Sequence, residues 1–435
     1  MTWGISASFP HAILHIDGDS FFAACEVAKD PRLRGKPVIT GKERGIVSAC
    51  TYDVKARGVK RGMKLGEARK LCPEAVILPS DYETYSLFSE RMYEIVRRYT
   101  PAVEEYSIDE CFADITGMRR VNKMNYPETA LQIKRELDTE LGMTFSIGLS
   151  ATKVLAKIGS KWKKPDGCTA IPLRDAHKFL EKLPICSVWG IGPNTAQYLN
   201  KYGVRSIQDL VNKEETWVTA MLSKPYVEIW HELRGEMTYE ITTERKESYR
   251  SISKTKTFTP PSRDQKFVFS QLSKNIENAC IKVRKWDLST LEIFFFLKTQ
   301  DFKYHGCEIK LSHHTNLPQD IVRTVAEYFP NVFKKGEFYR ATGITLMKLK
   351  KHAPVQLDLF GAVHAKEGLK QVFESVDELS EKYGKHVVFL GSSFEAMKFG
   401  AHLGERGDLP ERATQLFKGG TARRRLAIPS LGEVR

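Results

Sequence analysis

The stretch "EEYSIDECF", residues 104–112, sets Asp109 beside Glu110 in a run that otherwise has the makeup of a buried strand. Adjacent carboxylates repel and lose hydration when packed, so a strand core gains nothing from them unless they hold something. A third acid, Asp17, closes the short apolar run "AILHID" at 12–17. Side chains alternate along a straight strand, so Asp109 and Glu110 converge only where the chain bends. Three carboxylates gathered at one edge are tolerable if divalent cations neutralise them. Oxygen ligands with few protein donors suit Mg²⁺, which keeps room for substrate phosphates. Two such ions would activate a 3′-hydroxyl and stabilise a pyrophosphate leaving group. Read singly, each acid is an ordinary turn or N-cap residue.

The elements that must position these acids follow from periodicity. "AILHID" reads as a strand and "SFFAACEVA" after it as a helix; "KPVITGKERGIVSAC" at 36–50 reads as a hairpin around a Gly-containing turn. Helical spacing returns at 82–99 and stops at Pro101; a strand pair surrounds Asp109 and Glu110, a helix is expected near 127–141, and "MTFSIGLS" at 143–150 is a β-run. With 20–82 set aside as an insertion, the order is strand, helix, strand pair, helix, strand, which resembles a ferredoxin-like βαββαβ sheet. In such a sheet the central hairpin packs beside the first strand, bringing Asp17, Asp109 and Glu110 together.

Composition narrows the partners. The 435 residues, 42% hydrophobic, are too many for one ordinary domain and predict three or four modules. The formal net charge of +14 points to a polyanionic partner, and residues 245–352 carry 21 Lys plus Arg against 10 Asp plus Glu, a net of +11. No apolar stretch approaches the roughly 20 residues of a spanning helix, the longest being of the kind "LEIFFFL" at 291–297. The N-terminus lacks the basic region of a signal peptide. Eight cysteines without a CxxC pair predict reduced thiols in a cytoplasmic protein, and Cys307 with His313 and His314 reads as strand and loop rather than a zinc site.

Four motifs, "HIDGDSFFAACE" at 15–26, "TYDVKARGVKRGM" at 51–63, "YSIDECFADI" at 106–115 and "KWKKPDG" at 161–167, occur in the order and spacing of the Y-family DNA polymerases. The resemblance covers about residues 12–360 and is nearest the bacterial polymerase IV and UmuC-like branches. It implies an α+β right-hand polymerase: a ferredoxin-like palm (1–19 and 83–172), small fingers (20–82), a helical thumb with a helix-hairpin-helix (173–241) and an α/β little finger with its tether (242–352). A clamp-binding peptide (353–361) and a C-terminal extension (362–435) would complete the chain. The implied activity is templated, error-prone addition of dNTPs to a primer 3′-OH across damaged DNA, with two Mg²⁺ ions, by a monomer.

Carried over residue by residue, Asp17 and Asp109 match the family's bridging metal ligands, Glu110 its third carboxylate, and Gly18 the position that lends a backbone carbonyl. Asp19 reads as a supporting residue. Phe22 falls at the steric gate beneath the sugar, with Phe21 beside it. Tyr52 and Lys164 match triphosphate-binding groups; Lys55 stands where many relatives carry Arg, a mobile point charge in place of a bidentate fork. Gly190 and Gly192, in "WGIG", suit the turn of a helix-hairpin-helix that meets DNA phosphate through backbone N–H groups.

Alternation in "YRSISKTKTF" would place Arg250, Ile252, Lys254 and Lys256 on one face, a candidate phosphate rail. Gln356, Leu357, Leu359 and Phe360 fit the QLxLF peptide that docks bacterial polymerases onto the sliding clamp. Beyond it, "KEGLKQVFESVDELSEKYG" has helical period, "HVVFL" a strand pattern and "FKGGTARRRLAIPSLGEVR" a basic, flexible composition. Two other readings stand beside the polymerase: a non-catalytic helix-hairpin-helix DNA-binding protein, which the intact acids disfavour, and a palm-type nucleotidyl cyclase, which the thumb and clamp peptide disfavour.

Overall fold

The computed structural model describes residues 9–244, 249–351, 362–383 and 386–398. The chain forms two compact units that divide between Glu244 and Arg245.

In the first unit, β1 (Ile13–Gly18) is buried along its whole length, as a central strand covered on both faces must be. The helix Phe21–Lys29 follows. Next, β2 (Val38–Thr40), β3 (Ala49–Cys50) and β4 (Val76–Leu78) make a separate small sheet in the order β3-β2-β4. The β2–β3 pair is the hairpin expected from sequence, and β4 adds to it in parallel. This segment has its own core around Ile39, Val47, Val54 and Leu65, consistent with an inserted module.

The chain then returns through the helix Tyr82–Arg97, β5 (Val103–Ser107), β6 (Glu110–Asp114), the helix Tyr126–Leu141, β7 (Phe145–Ser150), the helix Lys153–Trp162 and β8 (Cys168–Ala170). The sheet order is β5-β6-β1-β7-β8. Its first four strands have the ferredoxin-like order; β8, parallel to β7, is a fifth strand that the sequence pattern did not signal. Helix boundaries fall where local chemistry sets them: Asp81 accepts from Thr84 N–H, Asn125 and Glu128 form a capping box, and Gly142 ends the helix Tyr126–Leu141 at φ 65°.

One face of the sheet packs Leu14, Ile16 and Ile147 against Tyr85, Phe88, Met92, Ile133 and Leu137. The other face, carrying Ile13, His15 and Asp17, receives the helix Lys153–Trp162. That approach requires glycine in β7: a Cβ on Gly148 would lie 1.9 Å from the Ala156 carbonyl oxygen. After the palm-like sheet come the short helices Pro193–Lys201, Ile207–Val211, Glu215–Met221 and Lys224–Leu233 around a core that includes Leu199, Leu210 and Trp230. Residues beyond them double back, packing Met237 and Ile241 on Ile13, Phe112 and Ala156.

The second unit contains β9 (Ser251–Ser262), the helix Gln265–Lys285, β10 (Leu288–Thr299), β11 (Tyr304–Thr315), the helix Pro318–Val332 and β12 (Tyr339–Met347), with sheet order β11-β10-β12-β9. Ile293, Phe295 and Leu297 of β10 share a core with Val268, Leu272 and Ile276 of the first helix and Ile321 and Val325 of the second. The expected alternation in β9 is present. Lys254 and Lys256 lie on the side of Ile252, which is 2% exposed in the helix-covered core. Because β9 is the edge strand, the two lysines border that core, with Lys256 exposed and Arg250 exposed just before the strand.

The helix Ala362–Tyr383 forms as its periodicity predicts. "HVVFL" makes no strand. It leads into a 3-10 turn, Gly391–Ser393, and the helix Phe394–Lys398, which dock on the helix Gln265–Lys285. The backbone there finds side-chain partners in place of a sheet edge: Leu390 N–H donates to Glu277 at 3.2 Å and Ala396 N–H to Ser270 Oγ at 2.8 Å. Asp377 anchors the preceding helix through two bonds from Arg284, at 2.6 and 2.8 Å. The peptide at 356–360 and the basic end lie outside the described residues. Among those described, no helix is long and apolar enough to cross a membrane.

Candidate active site

Asp17 and Glu110 stand directly opposite one another, the last paired residues of antiparallel β1 and β6. Asp109 occupies the turn between β5 and β6, the bend that adjacency demanded, and its carbonyl accepts from Gly18 N–H at 2.9 Å. Ser107 Oγ holds the Asp109 carboxylate at 2.7 Å. The three acids predicted from sequence are therefore brought to one end of the sheet. At Gly18 a Cβ would come within 2.6 Å of the Phe21 ring, so this position tolerates a side chain only if that ring shifts.

Two of the acids rest on lysines. Lys164 contacts Asp17 and lies 3.9 Å from Asp19, while Lys157 Nζ sits 2.5 Å from Glu110 Oε2. Burial raises the Asp17 carboxyl to about 6; Lys164 opposes this, and the negative charges of Glu110 and Asp109 add to it. Burial works in the same direction on Glu110, but the neighbouring His15 and Lys157 outweigh it and hold that carboxyl down at about 2. His15 Nε2 is 3.7 Å from Glu110, beyond hydrogen-bond reach, so Lys157 is the contact that fixes this carboxylate. His15 itself is wholly buried, with Nδ1 2.7 Å from Ser160 Oγ, and burial drives its pKa down to about 4, leaving a neutral ring at neutral pH.

Lys157 is also boxed by aromatic rings, 4.7 Å from the Tyr106 centroid, 5.3 Å from Trp189 and 5.9 Å from Phe112. His15, Lys157 and Ser160 were absent from the candidates read in the sequence. The signal for Lys157 is the spacing of Lys153, Lys157 and Lys161 in "KVLAKIGSKW", three lysines four apart on an amphipathic helix. Two of them are only 5% and 6% exposed. Lysines so deeply buried must have acidic partners, and Lys153 pairs with Glu104 at 2.5 Å as Lys157 does with Glu110.

Asp19 is an anchor. It is 3% exposed, accepts from Ser146 Oγ at 2.9 Å and from Asp166 N–H at 2.7 Å, and lies 3.5 Å from the Tyr52 hydroxyl. It thereby ties β1 to β7, to the "KKPDG" loop that carries Lys164, and to the inserted module. Lys55 Nζ reaches Ser20 Oγ at 2.7 Å and lies 4.0 Å from the Tyr52 ring centroid. Burial, with a smaller contribution from the Lys164 charge, lowers its pKa. Tyr52, Lys55 and Lys164 thus border the acids on one side.

The two phenylalanines separate. Phe21 is 3% exposed in the core, whereas Phe22 is half-buried, stacked on Tyr85 at 4.4 Å and 15° and edge-on to Tyr82 at 5.3 Å. Gly190 adopts φ 90° and a Cβ there would meet Ile229 at 2.8 Å, while Gly192 has an ordinary φ of −82° with open space around it. Only the first of the pair needs to be glycine. Among the described residues no set of three His, Cys, Asp or Glu side chains is drawn into a closed metal-ligand cluster, at Cys307 or elsewhere. The donor set at β1 and β6 is nevertheless hard oxygen, and a divalent cation would offset both the burial that chiefly raises the Asp17 carboxyl and the smaller repulsion from Glu110 and Asp109.

Comparison with known proteins shows the family to which the chain belongs. The impB/mucB/samB family matches residues 16–161, and the C-terminal domain of the same family matches residues 249–359. DNA polymerase IV of Bacillus velezensis is 33% identical over 391 residues, covering 87% of this chain and 92% of that protein. DNA polymerase IV of Methanoculleus marisnigri is 32% identical, covering 78% and 94%. Among solved structures, a Y-family DNA polymerase chimera of Dbh and Dpo4 superposes with a TM-score of 0.67 at 26% identity, covering 78% of this chain and 99% of that one. An insertion ternary complex of Dbh DNA polymerase gives 0.52 at 25% identity.

The Lys157–Glu110 pair yields a prediction whose sign depends on pH. A carboxyl held below its usual range contributes stability above about pH 4.5, and that contribution fades as pH falls through about 2. Lys157→Met should therefore cost about 3 to 5 kcal/mol at pH 7, as expected for stripping the partner from a buried charge, and less at pH 3. Urea unfolding at the two pH values measures both. A loss that does not change with pH would show that Lys157 matters for packing alone.

Proposed function

The chain belongs to the Y-family DNA polymerases, in the impB/mucB/samB group, and is a templated DNA polymerase of the lesion-bypass type; from that premise we infer that Asp17, Asp109 and Glu110 are its catalytic carboxylates. The observation that carries this reading is the register that sets Asp17 against Glu110 with Asp109 in the adjoining turn. Two Mg²⁺ ions held by these carboxylates and the Gly18 carbonyl would activate the primer 3′-hydroxyl and neutralise charge on the departing pyrophosphate.

The protein's own groups have separate tasks. Lys164, Lys55 and the Tyr52 hydroxyl supply positive charge and a donor where the dNTP triphosphate must lie, and Asp19 keeps the loop bearing Lys164 in place. Glu110 stays ionised because Lys157 faces it, so it needs no deprotonation before use. Phe22, braced flat against Tyr85, supplies a rigid floor beneath the sugar. Gly190 and Gly192 form the helix-hairpin-helix turn toward primer-template DNA, and Arg250, Lys254 and Lys256 add backbone contacts from the edge of β9. Gln356, Leu357, Leu359 and Phe360 recruit the polymerase to the sliding clamp. We place its action in the cytoplasm, as a monomer; the eight free thiols suit a reducing compartment.

Primer extension with Mg²⁺ tests the central assignment. Replacing Asp109 and Glu110 together by Ala should reduce extension at least about a thousandfold while primer-template affinity changes little, since charge stabilisation lies with the acids and affinity with basic surface. Wild-type extension by the double variant would overturn it. A second expectation concerns the sugar: Phe22→Ala should raise ribonucleotide incorporation relative to dNTPs by about tenfold or more, because discrimination by shape is lost when the ring goes. An unchanged ratio in competitive single-nucleotide addition would move the gate elsewhere. Finally, replacing Leu359 and Phe360 by Ala should remove stimulation by the clamp and spare synthesis without it; equal stimulation of both proteins would show that the peptide is only a linker.

A further inference from the structure

Lys157 fixes Glu110, and part of what fixes Lys157 lies outside the sheet. Its Nζ is 2.5 Å from Glu110 Oε2, yet lysine is a point charge on a flexible four-carbon stem, so one hydrogen bond leaves its place loosely defined. Lys157 is nonetheless only 6% exposed, and aromatic rings stand around its ammonium where water would otherwise solvate it.

Two of these rings belong to the strands flanking the acid turn: Tyr106 on β5, 4.7 Å away, and Phe112 on β6, 5.9 Å away. The other, Trp189 at 5.3 Å, comes from the "VWGIG" turn and packs on the core of the short helices that follow the palm-like sheet. Its indole is held on several sides. It meets Tyr106 edge-on at 5.5 Å and 89°, lies tilted over Phe112 at 6.1 Å, and contacts Tyr239 at 5.8 Å. The next residue, Gly190, sits so close to the helix Lys224–Leu233 that a Cβ would meet Ile229 at 2.8 Å, which seats the turn firmly.

We propose that Trp189 is a positioning residue of the polymerase: it confines the Lys157 ammonium and through it holds the Glu110 carboxylate in its place opposite Asp17. The proposal rests on the reading of Glu110 as a catalytic carboxylate. Indole offers a cation the strongest of the aromatic faces, and here it closes a side of the box that the two strands do not supply. Plain packing between the sheet and the thumb accounts for the ring-to-ring contacts of Trp189 but not for a buried ammonium set among them. Because Trp189 adjoins the turn assigned to primer-template DNA, the same indole links the seat of the DNA to the acid end of the sheet. Its loss should show in the rate of addition and not in substrate binding.

The test uses the full chain in single-turnover extension of a saturating primer-template with Mg²⁺. Trp189→Leu, which keeps apolar cover but removes the ring face, should slow nucleotide addition about tenfold with little change in the dNTP concentration giving half-maximal rate. Trp189→Phe should restore most of the rate. In a Lys157→Met background Trp189→Leu should cost nothing further, because the group through which it acts is gone. Urea unfolding gives a readout independent of catalysis: the shift in midpoint caused by Trp189→Leu should be smaller in the Lys157→Met protein than in wild type. Primer-template affinity, read by fluorescence anisotropy, should not change. An unaltered rate in Trp189→Leu, equal losses from Leu and Phe, the same loss in both backgrounds, or a fall in DNA affinity that accounts for the slowing would each overturn the proposal. Should Lys157→Met not fold, the contrast between Leu and Phe decides alone. Glu110→Gln separates the two readings: a normal rate there would sink the catalytic role of Glu110 and this proposal with it, whereas loss there beside an unaltered Trp189→Leu sinks the positioning role alone.

Discussion

Two buried lysines on one helix, facing two acids on adjacent strands, set the geometry of the catalytic unit. Lys153 pairs with Glu104 of β5 and Lys157 with Glu110 of β6, four residues apart on the helix Lys153–Trp162. An unpaired ion at such depth costs several kcal/mol, so sliding this helix by one turn, about 5.4 Å, would strand four charges at once. Gly148 sets the depth of approach and the ion pairs set the register. Once the register is fixed, Ser160 reaches His15 beside Asp17, and the chain leaving the helix delivers Lys164 onto Asp17. The site is in this sense a by-product of how a basic helix must lie on an acidic sheet.

The order of the palm elements was legible because its signals are local: alternation in β1, periodicity in the two long helices, and an acid pair that only a turn can accommodate. The placement of the three carboxylates followed from topology. What stayed hidden depends on contacts across the fold. β8 is three residues long and gains its strand character only by lying along β7. His15 looked like one apolar-strand residue among others, and its neutrality comes from complete burial, which no short window reveals.

The β9 segment makes the same point from the other side. Alternation correctly grouped Ile252, Lys254 and Lys256, yet a period of two cannot say which face a sheet turns toward its helices. Ile252 decides it, because its burial among Val268 and Leu272 assigns that face to the core. "HVVFL" failed for a related reason: β-branched residues favour a strand only where an edge is available, and here Glu277 accepts from the Leu390 backbone instead.

The docking of residues 386–398 onto the helix Gln265–Lys285 has a mechanical consequence for what precedes it. Lys351 ends a short strand paired with β10, and Asp377 is clamped by Arg284, so both flanks of the QLDLF segment are fastened to the same unit. Ten residues, 352–361, separate the last strand residue from the helix that begins at Ala362. The anchors at Lys351 and Asp377 therefore belong to one unit, and a load placed on the helix Ala362–Tyr383 passes through Arg284 into the helix Gln265–Lys285.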